Sequence, residues 1–309
     1  MQKVMKKHTL YPIGTFLLLA LVLLSFYRID RLSEGVRDGL SICASAIIPT
    51  IFPFLILSDL LLSFQGTRHF LLLLSRPFAR ILKLSPEGGS VFLLGTVFGF
   101  PIGAKTATRY YQEGAISKTE AERLLLFSNN ASPFFLIGSV GAGMLFSVKS
   151  GIFLYLLQVS VSFLFALILS FKAKAPTENV YGEKLLRTHT SFPIAVQNAV
   201  KQTLFICGYI LFFSAMAALI LPDIRNNDFS CFLLSFLEIG NATSKAAALG
   251  GRYAIPFCAF SASFSGLSVY FQTLDVIATT DLCARSYLPV KFLSGAAAFF
   301  AALFFVSRN

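Results

Sequence analysis

Eight stretches of this chain contain no Asp, Glu, Lys or Arg, and this feature constrains the fold most. Each is close to the roughly 17–25 residues that a helix needs to cross a bilayer. Backbone groups in hydrocarbon must be hydrogen-bonded within their own segment, and the stretches lack strand alternation, so they are predicted to be helices. They cover residues 9–27, 39–58, 88–104, 131–147, 150–171, 203–221, 253–274 and 292–307.

The overall composition agrees with a lipid environment. Only 13% of the residues are charged, whereas a soluble domain carries about 25%. Hydrophobic residues make up 55% of the chain, and the mean hydropathy is +0.72. We therefore predict an all-α, polytopic membrane protein, a single membrane domain over 1–309 with about eight membrane segments, some of them broken or re-entrant.

Basic residues account for the net charge of +11 and lie in short loops between the apolar stretches. This pattern indicates the positive-inside bias of a membrane protein and not a nucleic-acid partner. Lys3, Lys6 and Lys7 place the N-terminus in the cytoplasm. The first span lacks a small-residue cleavage site after its apolar stretch and is predicted to stay uncleaved.

The most polar stretch, residues 172–192, is predicted to be a cytoplasmic linker between two halves, 39–171 and 193–309. Both halves contain an apolar stretch followed by polar interruptions. Such loose self-similarity is typical of the internal repeats of transporters. The sequence leaves open whether the repeats are inverted or parallel.

Helix-end signals predict where membrane segments are interrupted. Ser85, followed by Pro86 and Glu87, predicts a helix start, and Ser117 with Glu120 forms a capping box. That second helix is predicted to end near Ser128. A new helix is predicted to start at the Ser-Pro pair 132–133, so that one helix ends and another begins inside an apolar region.

Three of the residues at this interruption, Asn129, Asn130 and Ser132, are the first candidates for solute binding. The N-terminus of a half-helix carries a partial positive charge and free N–H donors, which suit a carboxylate. Broken helices occur in membranes only where protein or water covers the exposed backbone. The alternative interpretation is that the two asparagines cap a helix at the membrane surface.

A second candidate group is Gly99, Pro101, Gly103 and Lys105. Pro101 removes a helical hydrogen bond, and the glycines admit a close ligand or a neighbouring helix. Lys105 places a cation nearby, for which the alternative is a lysine that extends its ammonium group to the interface.

The third group lies in the second half. Glu238, with Asn241 nearby, is a carboxylate at membrane depth that either carries a proton or orders the site, unless its helix ends in water. Asp59 raises the same question in the first half. Ser265 and Gln272 belong to a stripe of small and hydroxyl residues, which indicates either close helix packing or a polar path.

No motif for a phosphate loop, a nucleophile or a zinc site is present, so the chain is not predicted to be an enzyme and no cofactor or metal is expected. The five cysteines occur singly, without metal-ligand spacing. A homo-oligomer or further membrane subunits are compatible with the sequence.

Over residues 47–272 the chain resembles the sporulation integral membrane protein YlbJ family, within the membrane proteins that carry a nucleoside-recognition Gate domain. The first half, 39–171, is the Gate-like part. The specific block is ISKTEAERLLLFSNNASPFFLIG at 116–138. It is supported by PTIFPFLILS at 49–58, GFPIGAK at 99–105, EIGN at 238–241 and FSGLS at 264–268.

The resemblance implies transport of a small anion, dipicolinate, across the membrane around the forespore during endospore formation. Dipicolinate is a flat dianion, which suits half-helix N-termini and Lys105. Two alternatives remain open at this point. One is a membrane scaffold of a sporulation complex that transports nothing, and the other is a nucleoside-type transporter.

Overall fold

The computed structural model describes residues 2–173, 190–221 and 228–308, with only the backbone described for 2–13 and 65. Most of the predicted linker and the loop 222–227 lie outside these ranges. The described part is all-α, as predicted. Its α-helices are Gln2–Tyr27 (α1), Ile29–Ile42 (α2), Ile48–Ser63 (α3), Gln65–Ile81 (α4), Pro86–Val97 (α5), Ile102–Gln112 (α6), Lys118–Phe127 (α7), Val148–Phe171 (α8), Phe192–Ile220 (α9), Asp228–Leu237 (α10), Ile239–Leu249 (α11), Ala254–Phe264 (α12), Gly266–Ile277 (α13) and Tyr287–Val306 (α14).

Two segments are wound as π-helix, Cys43–Ile47 (π1) and Phe134–Met144 (π2). The first joins α2 and α3 into one helix, Ile29–Ser63. Within the described ranges, five helical segments are long and apolar enough to cross a membrane: Ile29–Ser63, Val148–Phe171, Phe192–Ile220, Ala254–Ile277 and Tyr287–Val306. This agrees with a polytopic membrane protein, whereas the total of eight segments and the two halves stay predictions.

The stretch 88–104 is not one span, because α5 and α6 form a helical hairpin (the first hairpin). Ser85, the N-cap of α5, donates its backbone N–H to Glu120 Oε1 in the first turn of α7 at 2.6 Å. α5 then runs beside α7, and α6 returns to the end from which α5 started. With 12 residues, α5 is about 18 Å long, which is too short to cross a bilayer core of roughly 30 Å.

α7 and π2 form one broken helix, interrupted at residues 128–132 as the helix-end signals predict. α8 runs antiparallel to both parts. Asn130 at the interruption donates to Ser162 Oγ, and Gly141 in π2 lies against Gly151 near the start of α8. The Ser-Pro restart is also confirmed, since Ser132 Oγ accepts from the N–H of Phe135 at 3.2 Å.

A second hairpin consists of α10 and α11, with Glu238 at its tip. Ser235, before the tip, shares a hydrogen bond of 2.6 Å with the Ser261 hydroxyl of α12. Thr243, after the tip, accepts at its carbonyl oxygen from the Cys258 thiol of α12 at 3.8 Å. Both limbs therefore lie beside the same helix.

α12 and α13 form another broken helix, interrupted at Ser265 with φ of +70°. The pair runs antiparallel to α14. Phe264, at the end of α12, contacts Phe292, whereas Phe257, earlier in α12, contacts the later residue Phe299.

The two hairpins enter the helical bundle from opposite ends. The loop after α13 lies at the end from which the first hairpin enters, since Asp281 in that loop accepts from Tyr111 of α6 and from Lys118 of α7. α12 starts at the other end, and α11 of the second hairpin finishes immediately before it.

Candidate functional site

The tip of the first hairpin, residues 98–101, meets the interruption 128–132, and we call this contact the first crossing. Phe100 donates its backbone N–H to the Asn130 carbonyl oxygen at 2.6 Å. Gly99 has φ of +80°, and a Cβ atom there would lie 2.6 Å from the Ser132 nitrogen. Glycine is required at 99 for both reasons, conformation and space.

Gly103 has a packing function at the same place. A Cβ atom at Gly103 would lie 2.1 Å from the Ser128 carbonyl oxygen, and one at Gly95 would lie 1.8 Å from it. The sequence predicts that this glycine admits either a ligand or a neighbouring helix, and the structure shows the close approach of a neighbouring helix. Pro101 is buried and immediately precedes α6. Because it lies before the first turn, its missing N–H leaves the hydrogen bonds of that helix intact.

Both asparagines of the interruption are buried in the protein, with 0% and 1% exposure for Asn129 and Asn130. The Asn129 amide donates to Thr273 Oγ1 at 2.9 Å and to the Tyr287 hydroxyl at 3.0 Å. The Asn130 amide donates to the Phe127 carbonyl at 2.9 Å. Neither side chain is exposed to solvent, and both are held by other parts of the protein.

Three further side chains complete the first crossing and were not among the predicted residues. Gln158 of α8 donates to the Ala131 carbonyl at 3.0 Å and accepts from its N–H at 3.3 Å. Ser162, one turn later, hydrogen-bonds to the Phe127 carbonyl. Lys291 of α14, only 2% exposed, donates to the Asn129 carbonyl at 2.6 Å and contacts Asn130 Oδ1 at 3.4 Å.

The sequence contains a signal for these residues. Gln158 and Ser162 are spaced i, i+4 inside a stretch without charges, so they share one helix face. Lys291 directly precedes the apolar stretch 292–307, and an ionisable residue at the edge of a span is a candidate for function.

Lys105 lies away from this network. Its ammonium group forms an ion pair with Asp59 Oδ1 of α3 at 2.7 Å, and Asn198 of α9 donates to Asp59 Oδ2 at 3.3 Å. Lys105 therefore does not extend to the interface as a free cation. Its charge is matched by Asp59, which links α3, α6 and α9.

The second crossing is the contact between the end of α10, residues 235–237 just before Glu238, and the interruption at Ser265 and Gly266. A Cβ atom at Gly266 would lie 3.0 Å from the Ser235 carbonyl oxygen. Glu238 is 1% exposed and caps α11, accepting from the N–H groups of Gly240 at 2.9 Å and Asn241 at 2.7 Å. Its helix does not end in water.

The remaining predicted residues are Asn241, Ser265 and Gln272. The Asn241 amide donates to Ser214 Oγ of α9 at 2.6 Å. Ser265 is fully buried and donates to the Ala262 carbonyl at 3.1 Å. Gln272 is buried on α13 and donates to Ser268 at 3.3 Å, while its Oε1 atom has no hydrogen-bond partner within the described ranges.

The first crossing is closed in this structure. The cavity beside Asn130 and Lys291 has a volume of about 10 Å³, close to the lower limit for one water molecule. The described residues place no group of three or more His, Cys, Asp or Glu side chains where they could hold a metal ion. The groups at the two crossings that could bind a ligand are amides, hydroxyls, helix ends, one ammonium group and one carboxylate.

The chain matches no protein-family model and no solved structure. It is 28% identical to the sporulation integral membrane protein YlbJ of Bacillus subtilis (strain 168) over 333 aligned positions, which cover 94% of this chain and 81% of the relative. The similarity confirms the resemblance to the YlbJ family of sporulation integral membrane proteins that the motifs indicate.

Proposed function

We propose that this protein carries a small anionic solute across a membrane of a spore-forming bacterium, with dipicolinate as the first candidate. A membrane role in sporulation is supported by the relative's name and by the membrane-length helices. The choice of dipicolinate follows from the family resemblance. The proposed location is the outer forespore membrane, with the N-terminus in the cytoplasm.

The observation that carries the proposal is the meeting of a hairpin tip with a broken helix, at two places inside an apolar bundle. An interrupted helix in a bilayer is tolerated where protein buries it or where water reaches it. At the first crossing the C-terminal end of α7 and the N-terminal end of π2 face each other across Asn129–Ser132. Helix ends of this kind can replace water around a charged group.

Transport requires the first crossing to open, because its cavity is far smaller than a dianion with an aromatic ring. At the hairpin tip, the hydrogen bond from Phe100 to Asn130 and the contact of Gly99 with Ser132 must separate. The packing of Gly95 and Gly103 on the Ser128 carbonyl must loosen with them. The two hairpins enter from opposite ends, and in this proposal the tip of the first one moves while the turn of the second one stays fixed. In this proposal Glu238 orders the second crossing as a helix cap.

The test is uptake of labelled dipicolinate into vesicles that contain the purified protein. We expect saturable uptake that excess unlabelled dipicolinate inhibits and nucleosides do not. Asn130→Ala should lower uptake strongly, and Gln112→Ala, on the exposed end of α6, should leave it unchanged. Inhibition by nucleosides would favour a nucleoside-type transporter. A protein that is inserted and folded but shows no saturable uptake of either solute would favour the scaffold.

A further inference from the structure

We propose that Lys291 and Ser263 form a binding position for one carboxylate group of the transported solute. The inference rests on the proposed function and adds the place where the negative charge is held. Neither residue is part of the interruption itself. Lys291 lies on α14 and Ser263 on α12, so the position would be formed between the two helices that pack along each other and the first crossing.

Lys291 differs from three other basic residues of the bundle in its ion pairs. Lys105, Lys118 and Arg109 each have a carboxylate oxygen within 2.8 Å. Lys291, which is more deeply buried, forms no ion pair with any residue in the described ranges. A buried ammonium group without a counter-charge is costly, so an anion is the expected complement of this site.

The two oxygen atoms that Lys291 contacts offset part of this cost. They are the Asn129 carbonyl at 2.6 Å and Asn130 Oδ1 at 3.4 Å, at the negative end of the α7 dipole. An ammonium group has three donors, so at least one donor is left over. A residue that served only as a helix cap would need no further polar group beside it.

Such a polar group is present. A small cavity beside Lys291 is lined by polar side chains from α8, α12 and α14 and by the interruption, namely Asn130, Gln158, Ser162, Ser263, Lys291 and Ser294. Ser263 is 3% exposed, and its hydroxyl has no hydrogen-bond partner within the described residues. Buried hydroxyls are normally hydrogen-bonded. An unused hydroxyl and an unused ammonium donor on one cavity suit the two oxygens of a carboxylate.

The cavity size limits what can bind there. Its volume of about 10 Å³ admits one small polar group, so an aromatic ring attached to that group must occupy space that appears when the hairpin tip leaves the interruption. Binding at Lys291 is therefore expected to be coupled to opening of the first crossing.

The experiment measures equilibrium binding of labelled dipicolinate and of its neutral diamide to the purified protein in detergent. Lys291→Gln should weaken dipicolinate binding by about ten- to a hundredfold, as expected for loss of a hydrogen bond to a charged group. It should change diamide binding little. Lys291→Arg should restore part of the affinity. Lys149→Gln, at an exposed lysine near the start of α8, is the matched control and should bind like the wild type.

A second variant covers the case in which Lys291→Gln does not fold. In Ser263→Asp the new carboxylate can pair with Lys291 and occupy the position of the ligand, so the protein should remain folded and lose dipicolinate binding. If the wild-type protein binds and transports dipicolinate, and a folded Lys291→Gln or Ser263→Asp variant binds it as tightly as the wild type, the inference is wrong and the proposed function stands. If the wild type neither binds nor transports it, the proposed function fails first.

Discussion

The two crossings are built from the same parts and closed in different ways. In each, a glycine with positive φ, Gly99 or Gly266, lets a hairpin tip and a broken helix touch. The second crossing is closed largely by local bonds, because Glu238 caps the helix that follows it. The first is closed by side chains from α8, α13 and α14, such as Gln158 and Lys291.

This difference indicates a division of tasks. A tip that is held by its own cap keeps its shape when its neighbours move. An interruption that is held by three other helices changes when any of them moves. The polar groups also differ in sign, since the first crossing holds an ammonium group and the second a carboxylate. The first crossing therefore suits an anion and a moving contact, and the second suits a fixed turn.

The largest expected effect separates the two glycines. Gly99→Ala should lower the free energy of unfolding by about 3 kcal/mol, combining left-handed backbone strain with overpacking. Gly266→Ala should lower it by about 2 kcal/mol, because its nearest neighbours lie at 3.0 Å or more compared with 2.6 Å for Gly99. Gly251→Ala is the control for backbone strain without crowding, having φ of +68° and nothing within 4 Å. Denaturant unfolding in detergent measures all three, and equal losses at 99 and 266 would contradict the difference in tightness.

The next effect concerns long-range closure. Gln158→Leu leaves the N–H and the carbonyl of Ala131 without their partner in a buried site. Each unpaired group costs about 1–3 kcal/mol, so we expect a loss of roughly 3 kcal/mol at most after relaxation. Gln112→Leu removes an exposed hydrogen bond to Thr279 and should cost less than about 0.5 kcal/mol. If the two variants unfold at the same denaturant concentration, the first crossing does not depend on α8.

A smaller effect is expected at the second crossing. Glu238→Gln keeps one oxygen that can accept from the N–H groups of α11, so stability should fall by about 1 kcal/mol. Because Glu238 acts as a cap in our account, the pH profile of dipicolinate uptake should match that of the wild type. Uptake that no longer varies with pH in this variant would show instead that Glu238 carries a proton.

The smallest effect lies at the water-exposed end of the first hairpin. Hydrogen bonds from Lys118 and then Tyr111 hold the pKa of Asp281 below its usual value. A carboxyl whose pKa is lower in the folded state stabilises the protein above the unfolded-state pKa, and this contribution disappears as the pH falls through the lowered folded value. Asp281→Asn should therefore lower the melting temperature slightly at neutral pH, and its difference from the wild type should shrink as the pH falls below about 4. A larger loss than that of Gln158→Leu would contradict the ranking of the buried network above the surface.

The sequence predicts the local features of this molecule well. The interruption after Ser128 and the caps at Ser85 and Ser117 depend on residues that are neighbours in the chain, and the structure confirms them. One expected reciprocal bond is absent, because Glu120 bonds to Ser85 across the hairpin and not to its own N-cap.

The partners of the predicted residues could not be read from the sequence. Asn129 is 162 residues away from Lys291, and Lys105 is 46 residues from Asp59. No period or motif specifies such pairs, since they are set by the packing of helices that are far apart in the chain. The sequence does not reveal that residues 88–104 fold as a hairpin, for a related reason. A continuous apolar stretch has the same composition whether it crosses the bilayer or turns back.

The arrangement of the two hairpins is tested most directly by labelling single cysteines with a membrane-impermeant maleimide, in a background without the five native cysteines. Pro86→Cys and Gln112→Cys mark the ends of the first hairpin, and Lys149→Cys and Arg252→Cys mark the opposite end of the bundle. We predict that the first pair is labelled from one side of the membrane and the second pair from the other. Labelling of positions 86 and 112 from different sides would show that α5 and α6 cross the bilayer as one span, which would contradict the account.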